Sequence, residues 1–277
     1  MKTALALCLL VASAHADPTP TAELTAHNDP KSPTIVAALI NAPKASRITL
    51  TSGTVTMNAT KQRPYSQSSD PIVIAFVIQS DEAFATANLA AVEKALDATG
   101  LDKACPPDSF GAIFAYAQDT QTKVAMGPFD RIKGRQLGVA KDYKGKKGAS
   151  LATAVTLAFS ELNKVQGSRK VVIIVGDGSD SDPKAPFDDL KKQAATQKIQ
   201  VFAVVTKTGP ITKLVTPVVA TSAADVGTQL DAIAKQLVNR FYVTFPVGKL
   251  IPFDGKDHDF VVGLDKVNLD PIKLTLK

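Results

Sequence analysis

Two short polar segments hold the side chains of this sequence that could do chemistry. The first is QSDE at residues 79–82 and the second is GDGSDSD at residues 176–182, and each directly follows an apolar run. Carboxylate oxygens at such corners are ligands for a hard divalent cation, and a pair such as Asp81 and Asp177 could act in acid–base catalysis. An aspartate before a helix can instead cap that helix by accepting backbone hydrogen bonds. A metal site, an active site and a helix cap are therefore the three interpretations to separate.

A third polar segment is basic. It is KDYKGKKGAS at residues 141–150, and it carries four lysines: Lys141, Lys144, Lys146 and Lys147. A run of like charges usually lies on a solvated face. A lysine here could also neutralise a nearby carboxylate and take the place of a cation. We therefore predict that one of the last three lysines forms an ion pair with Asp81 or Asp177.

The other two aspartates of the second polar segment have a simpler explanation. Asp180 and Asp182 precede Pro183 in a stretch rich in Gly, Ser and Asp, which is typical of a loop. The spacing does not match a calcium-binding EF-hand loop. We therefore expect both aspartates to stabilise a turn of the chain.

Apolar periodicity indicates which elements carry these segments. Three nearly continuous, β-branched runs are typical of strands covered on both faces of a parallel sheet: residues 72–78, 171–175 and 201–205. Residues 112–117 form a weaker run, with residues 123–129 as the expected hairpin partner. Apolar residues spaced four, three and four apart predict helices around residues 85–96, 151–162 and 226–237, and a shorter helix is expected at 188–197.

Strands alternating with helices predict an α/β domain from residue 70 to residue 240, with a doubly wound, mainly parallel sheet and helices on both faces. Ligands bind outside the carboxyl ends of such strands, so the three polar segments are expected to meet on one rim. The flanks differ. Residues 241–277 predict a small antiparallel β-module, with which strands in residues 47–69 could pair. Residues 17–46, rich in Pro, Ala and Thr, predict a linker or loose arm.

The first sixteen residues have the pattern of a secretory signal peptide. Lys2 supplies a positive charge, residues 4–12 are apolar, and Ala14-His15-Ala16 is a cleavage motif of small residues. We therefore expect an exported bacterial protein, periplasmic or extracellular, whose mature chain begins near Asp17. No later segment reaches the roughly 18 apolar residues of a membrane span. Cys105 is then the single cysteine, which excludes an internal disulfide.

Composition and motifs narrow the function classes. The 277 residues are 45% hydrophobic and 21% charged, which is typical of a globular protein. A net charge of +6 without an aromatic-interleaved basic stripe does not indicate nucleic-acid binding. The sequence has neither the glycine motifs that cradle phosphates nor a G-x-S-x-G elbow. Beyond the expected signal peptide only His27 and His258 remain, so neither a catalytic triad nor a zinc cluster is predicted.

Five segments together resemble a von Willebrand factor A-type (VWA) domain over roughly residues 70–240. They are VIAFVI with the polar loop after it, KGASLATAVTLAFSEL, KVVIIVGDGSDSD, IQVFAVV and LDAIAKQLVNRFYVTFP. The resemblance implies a central parallel sheet, with one antiparallel edge strand, between layers of helices. It also implies a metal-ion-dependent adhesion site, built from D-x-S-x-S, a later Thr and a later Asp, which binds protein ligands through a divalent cation.

The sequence departs from that motif at most positions. The first Asp is replaced by Gln79, the two Ser positions by Asp81 and Ala83, and the Thr by Ala149 or Ser150, so that Asp177 alone matches. A cation such as Mg²⁺ requires near-octahedral oxygen ligands, usually including anionic ones. We therefore expect a degenerate site without a cofactor. The candidate binding residues on the rim are Gln79, Ser80, Asp81, Lys146, Lys147, Ser150 and Asp177.

The sequence thus predicts an exported, non-enzymatic interaction protein that binds a protein ligand through this rim without a metal. Three alternatives remain open. Asp81 and Asp177 regrouped around Mg²⁺ or Ca²⁺ would make a metal-dependent adhesion module. The same two carboxylates would serve an extracytoplasmic hydrolase, and a domain packed permanently on a partner would be a structural subunit with an idle rim. The identity of the partner and the oligomeric state do not follow from the sequence.

Overall fold

The computed structural model describes residues 19–29, 31–43, 45–132, 143–166, 168–248, 250–265 and 267–277. The predicted signal peptide and Lys141 therefore lie outside the described residues. The chain divides into a central unit, residues 69–238, and a terminal unit formed by the described parts of residues 1–68 and 239–277.

Fifteen strands lie in the described part of the chain: β1 (Thr21–His27), β2 (Thr34–Ile40), β3 (Ile48–Ser52), β4 (Val55–Asn58), β5 (Lys61–Pro64), β6 (Ile72–Gln79), β7 (Phe110–Tyr116), β8 (Thr120–Pro128), β9 (Arg169–Gly176), β10 (Ile199–Val205), β11 (Val218–Val219), β12 (Arg240–Pro246), β13 (Asp257–Leu264), β14 (Val267–Asn268) and β15 (Ile272–Thr275). The α-helices there are α1 (Glu82–Ala98), α2 (Leu101–Ala104), α3 (Leu151–Asn163), α4 (Phe187–Gln197) and α5 (Ala223–Val238). Short 3-10 helices occupy Tyr65–Gln67, Phe129–Arg131 and Pro210–Lys213. None of these helices is both long and apolar enough to cross a membrane.

The central unit contains a six-stranded sheet in the order β11-β10-β9-β6-β7-β8. Neighbouring strands are parallel except for β8, which pairs antiparallel with β7 at the edge. The chain enters at β6 and moves to one edge through β7 and β8. It then returns to β9 and moves to the other edge, so the strand order reverses between β6 and β9. The predicted fold class is confirmed: a mainly parallel sheet with helices, accompanied by antiparallel sheets.

Both faces of this sheet are covered because its central strands are apolar on both sides. All eight residues of β6 are buried. On one face, Val73 and Val77 pack with apolar side chains of α3 and α4. On the other face, Phe76 of β6 and Leu96 of α1 line the same small cavity. The helix α1 in turn packs against α5. The central strands β6, β7 and β9 are therefore buried as far as their carboxyl ends, where polar segments follow β6 and β9.

The terminal unit consists of antiparallel sheets around its own core. One sheet has the order β1-β2-β12-β5, and the other has the order β14-β13-β3-β4 with β15 also paired to β13. Ile35, Phe245 and Phe260 are fully buried in one apolar cluster. Since β2 precedes the central unit in sequence and β12 follows it, segments from both sides of the central unit build this core.

The prediction of a linker or loose arm at residues 17–46 is wrong for the described part of that range. β1 pairs antiparallel with β2, with Thr21 opposite Ile40 at one end and His27 opposite Thr34 at the other. On its other side β2 pairs with β12. The physical reason is that strand formation depends on the partner strand and on burial more than on local composition. Here the partner β12 lies about two hundred residues further along the chain.

The reactivity of Cys105 tests whether its thiol is buried in the central unit. The thiol is buried, and burial raises its pKa to about 12. Because the thiolate is the reactive form, we expect folded protein at about pH 8 to react with DTNB roughly 1,000-fold more slowly than protein unfolded in urea. A Cys8→Ser background leaves this thiol as the only one, and a further Cys105→Ser change gives the blank. Equal rates in folded and unfolded protein would contradict the buried position.

Candidate functional site

The candidate site lies where the strand order of the central sheet reverses. β6 and β9 are neighbours, with Ile78 paired to Val175, and both strands end at the same edge of the sheet. In open α/β sheets the loops at such a point enclose a crevice in which ligands bind. Ser80 and Asp81 follow β6, and Asp177 follows β9. The structure therefore brings the two acidic polar segments to one edge.

The side chain of Gln79 is buried at this edge of the sheet. It is only 2% exposed, and its Oε1 accepts a hydrogen bond of 2.7 Å from the backbone N–H of Asp177. Its Nε2 donates to a carboxylate oxygen of Asp81. A backbone N–H can only donate and an ionised carboxylate can only accept, so these two partners fix the orientation of the amide. One neutral side chain thus joins the end of β6 to the loop after β9 and to the start of α1.

Asp81 is the N-cap residue of α1. Its Oδ1 accepts hydrogen bonds from the backbone N–H groups of Ala83, at 3.0 Å, and Phe84, at 3.2 Å. These amides belong to the first turn and have no partner within the helix. The helix-cap interpretation of this aspartate is confirmed. Its other oxygen, Oδ2, is the one that accepts from Gln79.

Asp177 is held by its own loop. Its Oδ1 accepts hydrogen bonds from the backbone N–H of Ser179, at 2.9 Å, and from the Ser179 hydroxyl, at 2.6 Å. Gly178 between them has a φ of +78°, and a Cβ there would lie 2.6 Å from the carbonyl oxygen of Lys207. This turn therefore requires glycine, both for its left-handed backbone and for the close approach of the neighbouring loop.

A second set of hydrogen bonds joins the loop after β9 to the start of α3. Asp180 accepts from the backbone N–H of Ala152 at 2.7 Å through Oδ2. Ser181 exchanges two bonds of 2.7 Å with Ala149, accepting through its hydroxyl oxygen and donating through its backbone N–H. Asp180 also accepts from the N–H of Asp182 at 2.8 Å, so the predicted turn chemistry is present. The contact with α3 was not predicted, although the first-turn amides of any helix need acceptors from outside.

A groove of about 220 Å³ lies between the first turns of α3 and this loop. Small and hydroxyl side chains form much of its wall, and the carboxylates of Asp180 and Asp182 lie beside them. Thr153, Asp182 and Pro186 are exposed to solvent, so the groove is open to a binding partner.

Two of the predicted rim residues bind the loops to the last residue of β7 and to the residue after it. Ser80 donates its backbone N–H to the carbonyl oxygen of Tyr116 at 2.7 Å. Ser150 donates both its backbone N–H, at 2.7 Å, and its hydroxyl, at 2.8 Å, to the carbonyl oxygen of Ala117. Ser150 was one of the two residues predicted at the metal-binding Thr position, and its hydroxyl is engaged with the backbone.

The basic segment contacts the rim through its backbone. The N–H of Glu82 donates to the carbonyl oxygen of Lys146 at 3.1 Å, and a carboxylate oxygen of Glu82 accepts from the N–H of Gly145 at 2.9 Å. The ammonium group of Lys146 lies 5.3 Å from the ring centroid of buried Tyr143, within the range of a cation–π contact. Lys147 is exposed. Lys144 is exposed as well, whereas Lys146 is half-buried.

The predicted ion pair between this segment and the rim carboxylates is wrong. Among the salt bridges of the described residues, none joins Lys144, Lys146 or Lys147 to Asp81 or Asp177. Both carboxylates instead accept hydrogen bonds from backbone N–H groups. Such bonds to a charged acceptor stabilise it without an ammonium group.

Tyr116, at the end of β7, is a site residue that was not predicted from the sequence. It is fully buried, is paired in register with Gln79, and its hydroxyl lies 3.5 Å from Oε1 of that residue. Burial raises its pKa well above the usual value, and the negative charges of Asp177, Asp81 and Asp180 raise it further. The hydroxyl therefore remains protonated at physiological pH. The available signal was the tyrosine near the end of the apolar run AIFAYA.

The residues at this edge do not fit a divalent cation. Ala83 and Ala149 have no ligand atoms in their side chains, and the hydroxyl of Ser150 is used by the backbone. The oxygen of Gln79 already accepts from the N–H of Asp177. Across the described ranges, no group of three or more His, Cys, Asp or Glu side chains is placed to hold a metal ion. Water can supply part of the oxygen shell of a hard cation, but the two carboxylates that could anchor one here already accept hydrogen bonds from backbone N–H groups.

No model of a known protein family matches the sequence, and no curated protein matches it significantly. Among solved structures, the pilus adhesin SpaC from Lactobacillus rhamnosus GG has a TM-score of 0.51 at 9% identity, over 96% of this chain and 49% of the adhesin. The conserved hypothetical protein BatB from Bacteroides thetaiotaomicron has a TM-score of 0.48 at 13% identity, over 60% of this chain and 97% of its own. A von Willebrand factor type A protein from Catenulispora acidiphila has a TM-score of 0.48 at 8% identity, over 87% of this chain and 68% of its own.

This chain spans about half the length of the adhesin. At 9% identity and a TM-score of 0.51, the similarity to the adhesin shows the fold alone. The central unit has the VWA-like fold that the sequence resemblance predicted.

Proposed function

We propose that this chain, whose central unit has a VWA-like fold, is a non-enzymatic interaction protein that binds a protein partner through the rim of the central sheet without a metal ion. The rim comprises Gln79, Ser80, Asp81, Lys146, Lys147, Ser150 and Asp177. The signal-peptide pattern of the sequence supports the further proposal that the chain is exported to the periplasm or to the outside of the cell.

The observation that carries this proposal is the division of the rim into an inner bonded layer and an outer exposed layer. Gln79 is buried and hydrogen-bonded at both ends of its amide, whereas Lys147 is exposed. Glu82 and Asp182, which lie in the same loops but outside the predicted set, are also exposed. The inner groups are bonded to one another and to the backbone, which makes the rim a rigid support. Fixed charges of both signs on a rigid support suit recognition of a complementary protein surface.

The groove beside α3 also supports recognition of a protein. Its volume of about 220 Å³ is below the range of about 300–1,000 Å³ that is usual for small-molecule sites. A space of that size can admit a single side chain of a partner. Asp180 and Asp182 in its wall give it an acidic character.

Capture of partners from the native source by immobilised protein tests the role of the rim. Lys147→Glu reverses an exposed rim charge, and we expect it to lower the captured amount of a specific partner by about 3–10-fold. Lys94→Glu is the matched control, because this exposed residue lies about 18 Å along α1 from its first residue. Chelation with EDTA and addition of Mg²⁺ are both expected to leave capture unchanged.

Three results would contradict parts of this proposal. Equal losses with Lys147→Glu and Lys94→Glu would mean that general electrostatic attraction, not the rim, drives capture. Capture that disappears in EDTA and returns with Mg²⁺ or Ca²⁺ would favour the metal-dependent adhesion module. Calorimetry of the wild-type protein gives an independent check. Heat of binding at millimolar Mg²⁺, Ca²⁺ or Mn²⁺ would also favour the metal-dependent adhesion module.

A further inference from the structure

We propose that the side-chain amide of Gln79 takes the place of a cation as the group that holds this rim together. A cation at this edge would connect the loop after β6 to the loop after β9 by sharing ligands from both. Gln79 makes the same connection with two hydrogen bonds of opposite polarity, accepting from the N–H of Asp177 and donating to the carboxylate of Asp81. This role does not depend on which partner the rim binds.

The polarity of the amide matches its surroundings. Its NH₂ group, the positive end, faces the carboxylate of Asp81, and its oxygen, the negative end, faces the N–H of Asp177 and the hydroxyl of Tyr116. A partly buried carboxylate requires compensation by hydrogen bonds or by a cation. The amide supplies a hydrogen bond to a charged acceptor, which is stronger than a neutral one. It does so without the desolvation cost of a second ion.

Close packing keeps the amide in this position. β9 ends at Gly176, and a Cβ on that residue would lie 2.8 Å from Oε1 and 3.2 Å from Cβ of Gln79. The backbone of β9 therefore passes in contact with the side chain of Gln79. With both ends of the amide bonded and its stem packed, the rim has one conformation that does not depend on ions in solution.

Gln79→Glu tests this role, because it exchanges the amide for a carboxylate of the same size. The new carboxylate can accept from the N–H of Asp177 but cannot donate to Asp81, so two negative charges face each other. We expect the Tm of the central unit to fall by about 5–10 °C at neutral pH. Millimolar Ca²⁺ is expected to restore several degrees, because the variant gathers three carboxylates at this edge. The wild-type Tm is expected to change by less than about 1 °C with Ca²⁺, Mg²⁺ or EDTA.

The pH dependence of the Tm gives a second measurement, which a change in packing alone would leave unaltered. Two carboxylates in contact share a proton, and the protonated one can donate to its neighbour as the amide does. The Tm difference between Gln79→Glu and the wild type should therefore narrow below about pH 5. Stability lost at neutral pH is thus regained when the proton binds.

Two control variants separate charge from packing. Gln79→Met removes both hydrogen bonds without adding charge, so its Tm should fall without recovery in Ca²⁺ or at low pH. Gln121→Glu adds the same charge at an exposed position of β8 and should leave the Tm within about 1 °C of the wild type.

Several outcomes would overturn the proposal. The first is a wild-type Tm that rises when Ca²⁺ or Mg²⁺ is added. The second is a Gln79→Glu variant whose Tm without ions equals that of the wild type. The third is an equal rise in the Tm of Gln79→Glu and Gln79→Met when Ca²⁺ is added. If Gln79→Glu folds only with Ca²⁺, the proposal is supported. If it does not fold at all, the wild type and Gln79→Met decide, and an unchanged Tm in Gln79→Met would refute the role of the amide.

Discussion

Gly176→Ala is expected to lower the free energy of unfolding of the central unit by about 3 kcal/mol or more. Gly176 ends β9 opposite the side chains of Gln79 and Tyr116. A Cβ at this residue would collide with the Tyr116 hydroxyl and would lie 2.8 Å from Oε1 of Gln79. Both side chains are buried and in contact with each other. Neither can move away without leaving a buried polar group unpaired, which itself costs about 1–3 kcal/mol.

Urea unfolding followed by far-UV circular dichroism measures this loss, and Gly227→Ala is the matched control. A Cβ on Gly227, within α5, would meet only the carbonyl oxygen of Ala91 at 3.4 Å and the Cβ of Ala95 at 3.7 Å, which are ordinary contacts. We expect that change to raise stability by about 0.5–1 kcal/mol, because alanine favours the helix and restricts the unfolded chain. If Gly→Ala lowers stability at residue 176 and raises it at residue 227, the loss at residue 176 comes from the packing around Gln79. A similar loss in both variants would contradict that packing.

The sheet of the central unit could be predicted because its strands are defined by local sequence. The apolar runs at residues 72–78 and 171–175 correspond to β6 (Ile72–Gln79) and β9 (Arg169–Gly176) within two residues at each end. Strands buried on both faces of a parallel sheet must be continuously apolar, so the pattern is unambiguous. The meeting of the two acidic segments followed in turn, because parallel neighbouring strands end at the same edge.

The missing parts of the prediction depend on contacts between residues far apart in sequence. β1 alternates in apolar character and β2 is an apolar run, but the Pro- and Thr-rich composition around them was given more weight in the prediction. Their place in a sheet is set by β12, which pairs with β2. The contact of Asp180 with the N–H of Ala152 and the two-way bonding of Gln79 are set by how loops meet at the edge of the sheet. Residue types showed that an anion was lost at residue 79. They did not show that the replacing amide would bond to both neighbouring loops.

Asp81→Ala is expected to lower the free energy of unfolding by about 2–4 kcal/mol, because this residue has two functions. It caps α1 through the N–H groups of Ala83 and Phe84, and loss of a cap costs about 0.5–2 kcal/mol. It also accepts from Gln79, whose buried NH₂ group would lose its partner at a cost of about 1–3 kcal/mol. Asp81→Asn should recover the cap alone, because an amide NH₂ cannot accept from another.

A double-mutant cycle with Gln79→Met separates these two functions, and urea unfolding of the four proteins provides the measurement. Because Gln79 and Asp81 share a hydrogen bond, the loss in the double variant should be smaller than the sum of the two single losses by about 1–2 kcal/mol. The reason is that either single change removes the same bond and leaves one group unpaired, whereas the double change removes both partners. Additive losses would mean that Asp81 acts only as a cap. The loop after β6 would then be joined to the loop after β9 without its help, and the rim would depend on the N–H of Asp177 alone for that connection.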